Sequence, residues 1–308
     1  MSTSRPLVSA VVPFYNQGAF VREAVEALLR QTWPELEIVI VDDGSRAEES
    51  AALLEFSSNP RIRVLRQENS GVSAARNNGI TAARGKYILT LDADDTCEPT
   101  FAEKAVALLE ADASLGLVNA MTRHFGDRKG PAGRRECTTE NILRGRCHTA
   151  LSMFRKADWA ATPGYDPKLK VSEDFDFWLS LLELGRRFQR IEETLYHYRR
   201  HGDSAQSRFK RLYGSIFGGE NAGVKRYVLK KHERLYALHP EAAADILRQK
   251  SDPPRFAAFK RRKYRLILLL SGLPGLRGLL GRSAAKARYR LDFMEAADMY
   301  ARREKQDA

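Results

Sequence analysis

Residues 87–99 read YILTLDADDTCEP, from Tyr87 to Pro99. Tyr87 to Leu91 is a short apolar and β-branched run, the pattern of a buried strand. It ends in three carboxylates, Asp92, Asp94 and Asp95. Acids crowded at the end of a buried strand cost stability, because like charges repel and burial penalises the charged form. A neutralising cation is therefore expected. The short D-x-D offers hard oxygen ligands, which suit Mg2+ or Mn2+ held together with a substrate phosphate. On this stretch alone the plain alternative is a solvated acidic turn, with Asp92 capping a helix that begins near Pro99.

The flanking sequence repeats the pattern. Val8 to Pro13 and Leu36 to Val41 are buried-strand runs, and Ile62 to Leu65 is a shorter one. Helical spacing falls between them, over Phe20 to Leu29, Ala47 to Phe56 and Ser73 to Ala83. Another helix is expected over Phe101 to Leu109 and another strand over Leu115 to Asn119. Alternating strands and helices give βαβ units and a mostly parallel sheet, where ligands bind beyond the carboxyl ends of the strands. Three strand ends carry polar clusters: Tyr15-Asn16, Asp42-Asp43 and the aspartate triplet. That coincidence argues against the solvated turn. The turn after the first strand is PFYNQG, which excludes the G-x-G-x-x-G of a dinucleotide dehydrogenase.

Composition bounds the rest. A chain of 308 residues with 43% hydrophobic and 29% charged residues is globular, not disordered. The N-terminus lacks the apolar segment of a signal peptide, and the Leu-rich stretch Leu266 to Leu280 is too interrupted to span a membrane. Three cysteines without metal spacing (Cys97, Cys137 and Cys147) lead us to expect reduced thiols and a cytoplasmic protein. The net charge of +12 is unevenly placed: residues 1–209 carry 28 Lys+Arg against 29 Asp+Glu, and residues 210–308 carry 23 against 10.

Six blocks in order, VSAVVPFYN, EIVIVDDGS, NSGVSAARNNG, YILTLDADD, PGYDPKLKVSEDFDFW and YHYRRHGDSAQS, resemble the family 2 glycosyltransferases with the GT-A fold. The resemblance covers about residues 7–207. It implies an α/β GT-A architecture: a Rossmann-like, mostly parallel central sheet flanked by helices, with a C-terminal helical extension. It divides the chain into a transferase domain, 1–208, and a basic helical extension, 209–308. The nucleotide-binding half is about 1–120 and the acceptor half about 121–208.

The implied activity is inverting transfer from a nucleotide-sugar, with a UDP-sugar favoured, to a glycan or lipid-linked hydroxyl acceptor. Such enzymes serve cell-surface polysaccharide synthesis in bacteria. By resemblance, Pro13, Tyr15, Asn16, Asp42 and Asp43 form the nucleoside pocket, and Arg76 lies near the base and diphosphate. Asp92 and Ala93 lean toward the ribose, while Arg199 and Ser204 lie beside the phosphates. Asp94, His201 and Asp92 face the Mn2+ or Mg2+ ion. Asp174 is the general base, with Glu173 as its partner. Trp178, on the same helix, is either a core side chain or a ring for a sugar face, and its place beside Asp174 leads us to expect it at the acceptor site. One base with no second nucleophilic carboxylate is what inversion requires.

Three segments remain. Thr122 to Arg146 has no clear period, several glycines and seven basic residues, and reads as a long loop. Ser172 reads as the N-cap of the helix that bears Glu173 and Asp174. The basic run Lys260-Arg261-Arg262-Lys263 before the Leu-rich stretch suits either a solvated helical surface or an anionic membrane, on the inner face. No nucleic-acid module is present. The alternative to an enzyme is a catalytically degenerate transferase-like domain that binds membranes or polyanions. The presence of Asp94 and Asp174 argues against it.

Overall fold

The computed structural model describes residues 5–132, 137–145, 149–169, 171–201 and 222–248. The chain divides into two units, Met1–Ser204 and Ala205–Ala308. The first is built on a nine-stranded sheet in the order β3-β2-β1-β4-β8-β6-β9-β5, with β7 paired to β6. Strands β1 (Val8–Phe14), β2 (Leu36–Asp43), β3 (Ile62–Gln67) and β4 (Tyr87–Thr90) run parallel. β1, β2 and β4 are buried on both faces, as their near-continuous apolar sequences require, whereas the edge strand β3 alternates half-buried and exposed positions after Ile62. Strand β8 (Ser152–Arg155) then runs antiparallel to β4 and to β6 (Leu115–Gly126).

Helices cover both faces. On one side α1 (Gly18–Leu29) and α4 (Phe101–Ala111) pack on Val8, Ala10, Val12 and Phe14. On the other, α3 (Val72–Ala82) and α7 (Glu173–Glu183) pack on Val11, Ile88 and Phe154. Gly79 lets α3 press on the sheet: a Cβ there would lie 2.5 Å from Val11 Cγ1 and 3.0 Å from Val41 Cγ2. This close approach sets the height of Arg76, one turn earlier on the same helix.

The structure departs from the sequence expectations in four places. The helix expected over residues 47–56 is a short α2 (Ala47–Ser50) followed by a 3-10 turn, Ala51–Phe56. The expected loop at Thr122 begins as strand: β6 continues to Gly126, β7 (Gly130–Pro131) folds back on it, and α5 (Thr139–Leu143) follows. Its polar residues escaped the periodicity test because they lie on a half-exposed ribbon. The two short strands expected near residues 191–198 are one strand, β9 (Arg187–Arg200), parallel to β6 through several register shifts. The short β5 (Thr96–Cys97) pairs with it. Finally, Cys137 is disulfide-bonded, where reduced thiols were expected. Cys97 is free and buried, and burial pushes its thiol up to about 12.

In the second unit, α8 (Ala222–Lys231), α9 (Glu233–Ala237) and α10 (Pro240–Arg248) bury Val224, Val228, Tyr236, Ala242 and Ile246. The basic run at 260–263 and the Leu-rich stretch lie outside the described residues. Among the described residues no helix is long and apolar enough to cross a membrane.

Candidate active site

The site is assembled where β1, β2 and β4 end. Asn16, just past β1, takes a left-handed backbone with φ of 52°. Its amide N–H donates to Ser45 Oγ, and its Oδ1 accepts from Arg46 N–H, so the first two strand-end turns are tied together. Tyr15 beside it is exposed, whereas Pro13 is buried in β1. Asp42 accepts from Ser45 N–H and Ser50 Oγ–H; these bonds outweigh burial and hold its carboxyl below the ordinary value. Asp43 Oδ1 accepts from Gln67 and from Ser70 N–H, and its Oδ2 accepts from Gly71 N–H. Asp43 thus satisfies backbone donors ahead of α3 that the helix itself cannot.

Arg76 on α3 is the hub. It is 1% exposed. Nη1 donates to Glu173 Oε1 at 2.7 Å and to Asp174 Oδ1 at 2.9 Å, and Nη2 donates to Asp92 Oδ1 at 2.7 Å. The guanidinium lies 5.2 Å from the Tyr165 ring centroid. Burial opposes its charge, but Asp174, Asp92 and Glu173 raise its affinity for the proton well above the ordinary value. Burial raises Asp174 in turn, against the attraction of Arg76 and with the repulsion of Glu173 and Asp92. Ser172 precedes this pair in a left-handed conformation, φ 63°, and makes no side-chain cap bond. The expected N-cap is therefore a strained turn that aims the first turn of α7 at Arg76.

Asp94 Oδ2 lies 2.9 Å from His201 Nε2. Burial and Asp92 raise Asp94, with His201 opposing. Asp95 has another task. Its Oδ1 accepts from Arg199 N–H at 2.7 Å and its Oδ2 from the Tyr196 hydroxyl. It straps the end of β9 to the aspartate loop and so brings His201 beside Asp94. The Arg199 guanidinium donates to the Asp94 carbonyl and to Glu23, and sits 4.9 Å and 4.2 Å from the ring centroids of Phe20 and Phe125. The His201 ring packs on Phe20, 4.6 Å between centroids.

Residues 9–159 match the model for Glycosyl transferase family 2. An Escherichia coli K12 protein named as an uncharacterized glycosyltransferase, YibD, is 40% identical over 264 residues, which cover 80% of this chain and 75% of the relative. The chain belongs to glycosyltransferase family 2. It is also similar to a chondroitin synthase of E. coli, at 32% identity over 241 residues. Those residues are 72% of this chain, and it spans only 34% of that synthase. Among solved structures, S. aureus TarS 1–349 in complex with UDP-GlcNAc superposes with a TM-score of 0.64 at 19% identity, covering 96% of this chain and 92% of that one. The likeness is one of fold, and the fold is GT-A.

Within this member of the family the sequence-derived site residues divide into groups. Arg76, Asp92, Glu173 and Asp174 meet in one cluster, and Asp94 meets His201. Ala93, between the two aspartates, is fully buried. Asp42 and Asp43 brace neighbouring turns. Arg199 lies beside Asp94, packed against Phe20 and Phe125 and paired with Glu23. Trp178 is not where a sugar could stack: it is fully buried, 5.7 Å from the Phe188 ring. It sits on the core-facing stripe of α7. Ser204 lies outside the described residues. Sequence reading missed Asp95 as a strap, Tyr165 beneath Arg76 and Phe20 against His201. No local spacing marks those roles, although the alternation of Tyr196 and Tyr198 hinted at a strand face turned toward the acids.

The donor set suits a hard divalent ion. Oxygens of Asp92, Asp94 and Asp95 lie within 4.8 Å of one another. Asp95 has given both oxygens to β9, which leaves Asp92, Asp94 and the His201 imidazole. Five carboxylates crowd this region against Arg76 and Arg199, an excess of negative charge that a cation would relieve.

Proposed function

We propose that the chain is a metal-dependent, inverting transferase that moves a hexosyl or N-acetylhexosaminyl group from a UDP-sugar to a hydroxyl of a glycan or lipid-linked saccharide. The observation that carries this reading is the Arg76 cluster, which joins the D-x-D loop to the first turn of α7 in one buried ion network. Solved TarS structures with UDP and with UDP-GlcNAc support the choice of donor.

Pro13, Tyr15, Asn16, Asp42 and Asp43 border the nucleoside end. Asp43 Oδ2, with one donor so far, has a lone pair left for a uracil N–H. Asp92, Asp94 and His201 would hold Mn2+ or Mg2+, which supplies charge neutralisation to the departing diphosphate. Asp174 takes the proton of the acceptor hydroxyl. A carboxyl raised above its ordinary range by burial is a stronger base than an exposed one, and the Arg76 fork fixes its orientation.

Calorimetry with UDP, GDP and CMP, each with and without Mn2+, tests the donor class. UDP binding that needs both metal and Asp94, and is lost in Asp94→Ala, is the expected result. Asp174→Asn should retain UDP affinity and lower turnover by roughly 10²–10⁴-fold. Near-normal turnover would move the base elsewhere. Proton NMR of the product linkage reads inversion directly, and a retained anomeric configuration would end that part of the reading.

A further inference from the structure

The end of the β6–β7 hairpin carries a group of cations that the transfer chemistry above does not use. Residues 123–131 read RHFGDRKGP, with Asp127 as their one acid. Arg123, Arg128 and Lys129 are exposed, and among the described residues none of them forms an ion pair. Several surface arginines elsewhere are matched: Arg187 to Asp112, Arg186 to Asp158 and Arg46 to Glu49.

Register places the group. His124 pairs with Tyr198 and Gly126 with Arg200 across the parallel β6–β9 ladder. Strand alternation then puts His124, Tyr198 and Arg200 on one face, and Phe125, Arg199 and His201 on the other. The His124 and Tyr198 rings meet edge to face at 5.7 Å, and the Arg200 guanidinium lies 5.6 Å from the Tyr198 centroid. His124 Nδ1 is buried without a hydrogen-bond partner. Burial, Arg200 and Arg128 together push the His124 imidazole below its ordinary value. The positive fields of Arg200 and Arg128 both reach His124, and an anion between them would be attracted by both and accept from the His124 imidazole.

Tyr198 ties this group to the reaction centre. Tyr196, on the same face, donates its hydroxyl to Asp95, and the fields of Asp95, Asp92 and Asp94 add to burial in raising the Tyr198 phenol. The cationic group is therefore adjacent to the transfer site, not a remote surface patch. It does not share the face that carries His201, where the donor diphosphate is placed by the reading above.

We propose that His124, Arg128 and Arg200, at the end of the β6–β7 hairpin, form a subsite for an anionic group, a carboxylate or a phosphate, on the acceptor saccharide. This rests on the glycosyltransferase reading and gives its acceptor a chemical class. Arg128 supplies a forked donor at the rim, and His124 supplies a buried one.

The test uses the full chain with UDP and Mn2+. Three probes are titrated: an oligosaccharide containing glucuronate, the same oligosaccharide with its carboxyls reduced, and a phosphate-bearing oligosaccharide. Wild type should bind at least one anionic probe about tenfold more tightly than the neutral one, a gain in the range of one charge-assisted contact. The anionic probe it prefers names the group. Arg128→Glu, at an exposed position, should erase that preference while UDP affinity stays at the wild-type value. Equal binding of charged and neutral probes, or no binding of any, overturns the subsite. A fall in UDP affinity in Arg128→Glu also overturns it, and assigns the cations to the donor. Binding of anionic lipid vesicles that Arg128→Glu abolishes, with no discrimination among saccharides, overturns it in favour of a lipid surface. Should wild type fail to bind UDP, the donor reading falls, yet the comparison of charged and neutral probes still reads the subsite.

Discussion

The Arg76 fork reaches Asp92, Glu173 and Asp174 from a position closed to water. A buried charge is tolerable only with partners in good geometry, and removing one partner costs more than the pair contributes. A lysine at the same position would present one compact ammonium where two nitrogens now serve three acids. Glu37, at the opposite end of the sheet, shows the same logic used for stability. It is 3% exposed and accepts from Ser9 Oγ–H, Arg84 N–H and Arg84 Nε–H. Burial alone would raise its carboxyl, but the bonds from Ser9 and Arg84 win and hold it below the ordinary value. An acid lowered in the folded state contributes stability above its unfolded pKa and loses it as pH falls through the folded one. Glu37→Gln is therefore expected to cost about 2 kcal/mol at neutral pH. In denaturant melts the gap to wild type should shrink as pH drops below the ordinary carboxylate range. A gap unchanged by acid would mean that the charge of Glu37 is not what stabilises this end.

Helix α3 carries Arg76 to its height because Gly79 rests on Val11 and Val41. Gly79→Ala brings a methyl carbon to 2.5 Å from Val11 Cγ1, and the helix must lift or the strand must yield. We expect a loss of about 1–3 kcal/mol, the usual cost of overpacking. Donor affinity should fall with it, since lifting α3 draws Arg76 off its three acids. Denaturant unfolding and UDP calorimetry on the same sample read both, and a variant with lowered stability but intact UDP affinity would uncouple Arg76 from the packing of α3. The elements that sequence made legible are those with strong local signals: β1, β2 and β4 through continuous apolar runs, and α1, α3 and α4 through period. Arg76, Asp92, Asp94, Asp174 and His201 were legible because each sits in a short motif. The β6–β7 hairpin was not, because its residues are polar and its order comes from β9, some seventy residues later. Asp95, Tyr165 and Phe20 were hidden for the same reason: their partners Arg199, Arg76 and His201 lie far away in sequence, where spacing carries no information. Trp178 was mis-assigned because its motif does not reveal that it lies on the core-facing stripe of α7.

Across the whole molecule, charge is arranged for ligands as much as for the fold. The excess of 23 Lys+Arg over 10 Asp+Glu lies in residues 210–308, after the six blocks that carry the D-x-D and Asp174. Deleting the residues after 255 should weaken binding to anionic liposomes and leave UDP affinity unchanged, and undiminished liposome binding would leave the solvated helical surface as the reading of the basic run. Residues 1–209 are close to balance, 28 Lys+Arg against 29 Asp+Glu, but acids crowd the site. Burial and Asp92 raise Asp94; burial, Asp94 and Asp92 raise Asp95; burial raises Asp174 against Arg76. Acids raised in the folded state contribute stability that is complete below their ordinary range and is lost as pH rises through the raised values. Glu37 and Asp42 act in the opposite sense, so the two groups of acids can be separated by mutation. Asp94→Asn keeps an oxygen for His201 and removes one charge from the crowded cluster. It should melt above wild type by roughly 2–4 °C near pH 8, and the difference should close as the pH falls through the raised carboxyl's range and the wild-type group takes up its proton. Mn2+ should raise the melting temperature of wild type at pH 8 and leave that of Asp94→Asn unchanged. Repulsion among these acids would then be a cost the fold carries in order to hold a cation. A difference that does not vary with pH, or equal stabilisation of both proteins by Mn2+, would show that Asp94 is neither strained by its neighbours nor a ligand.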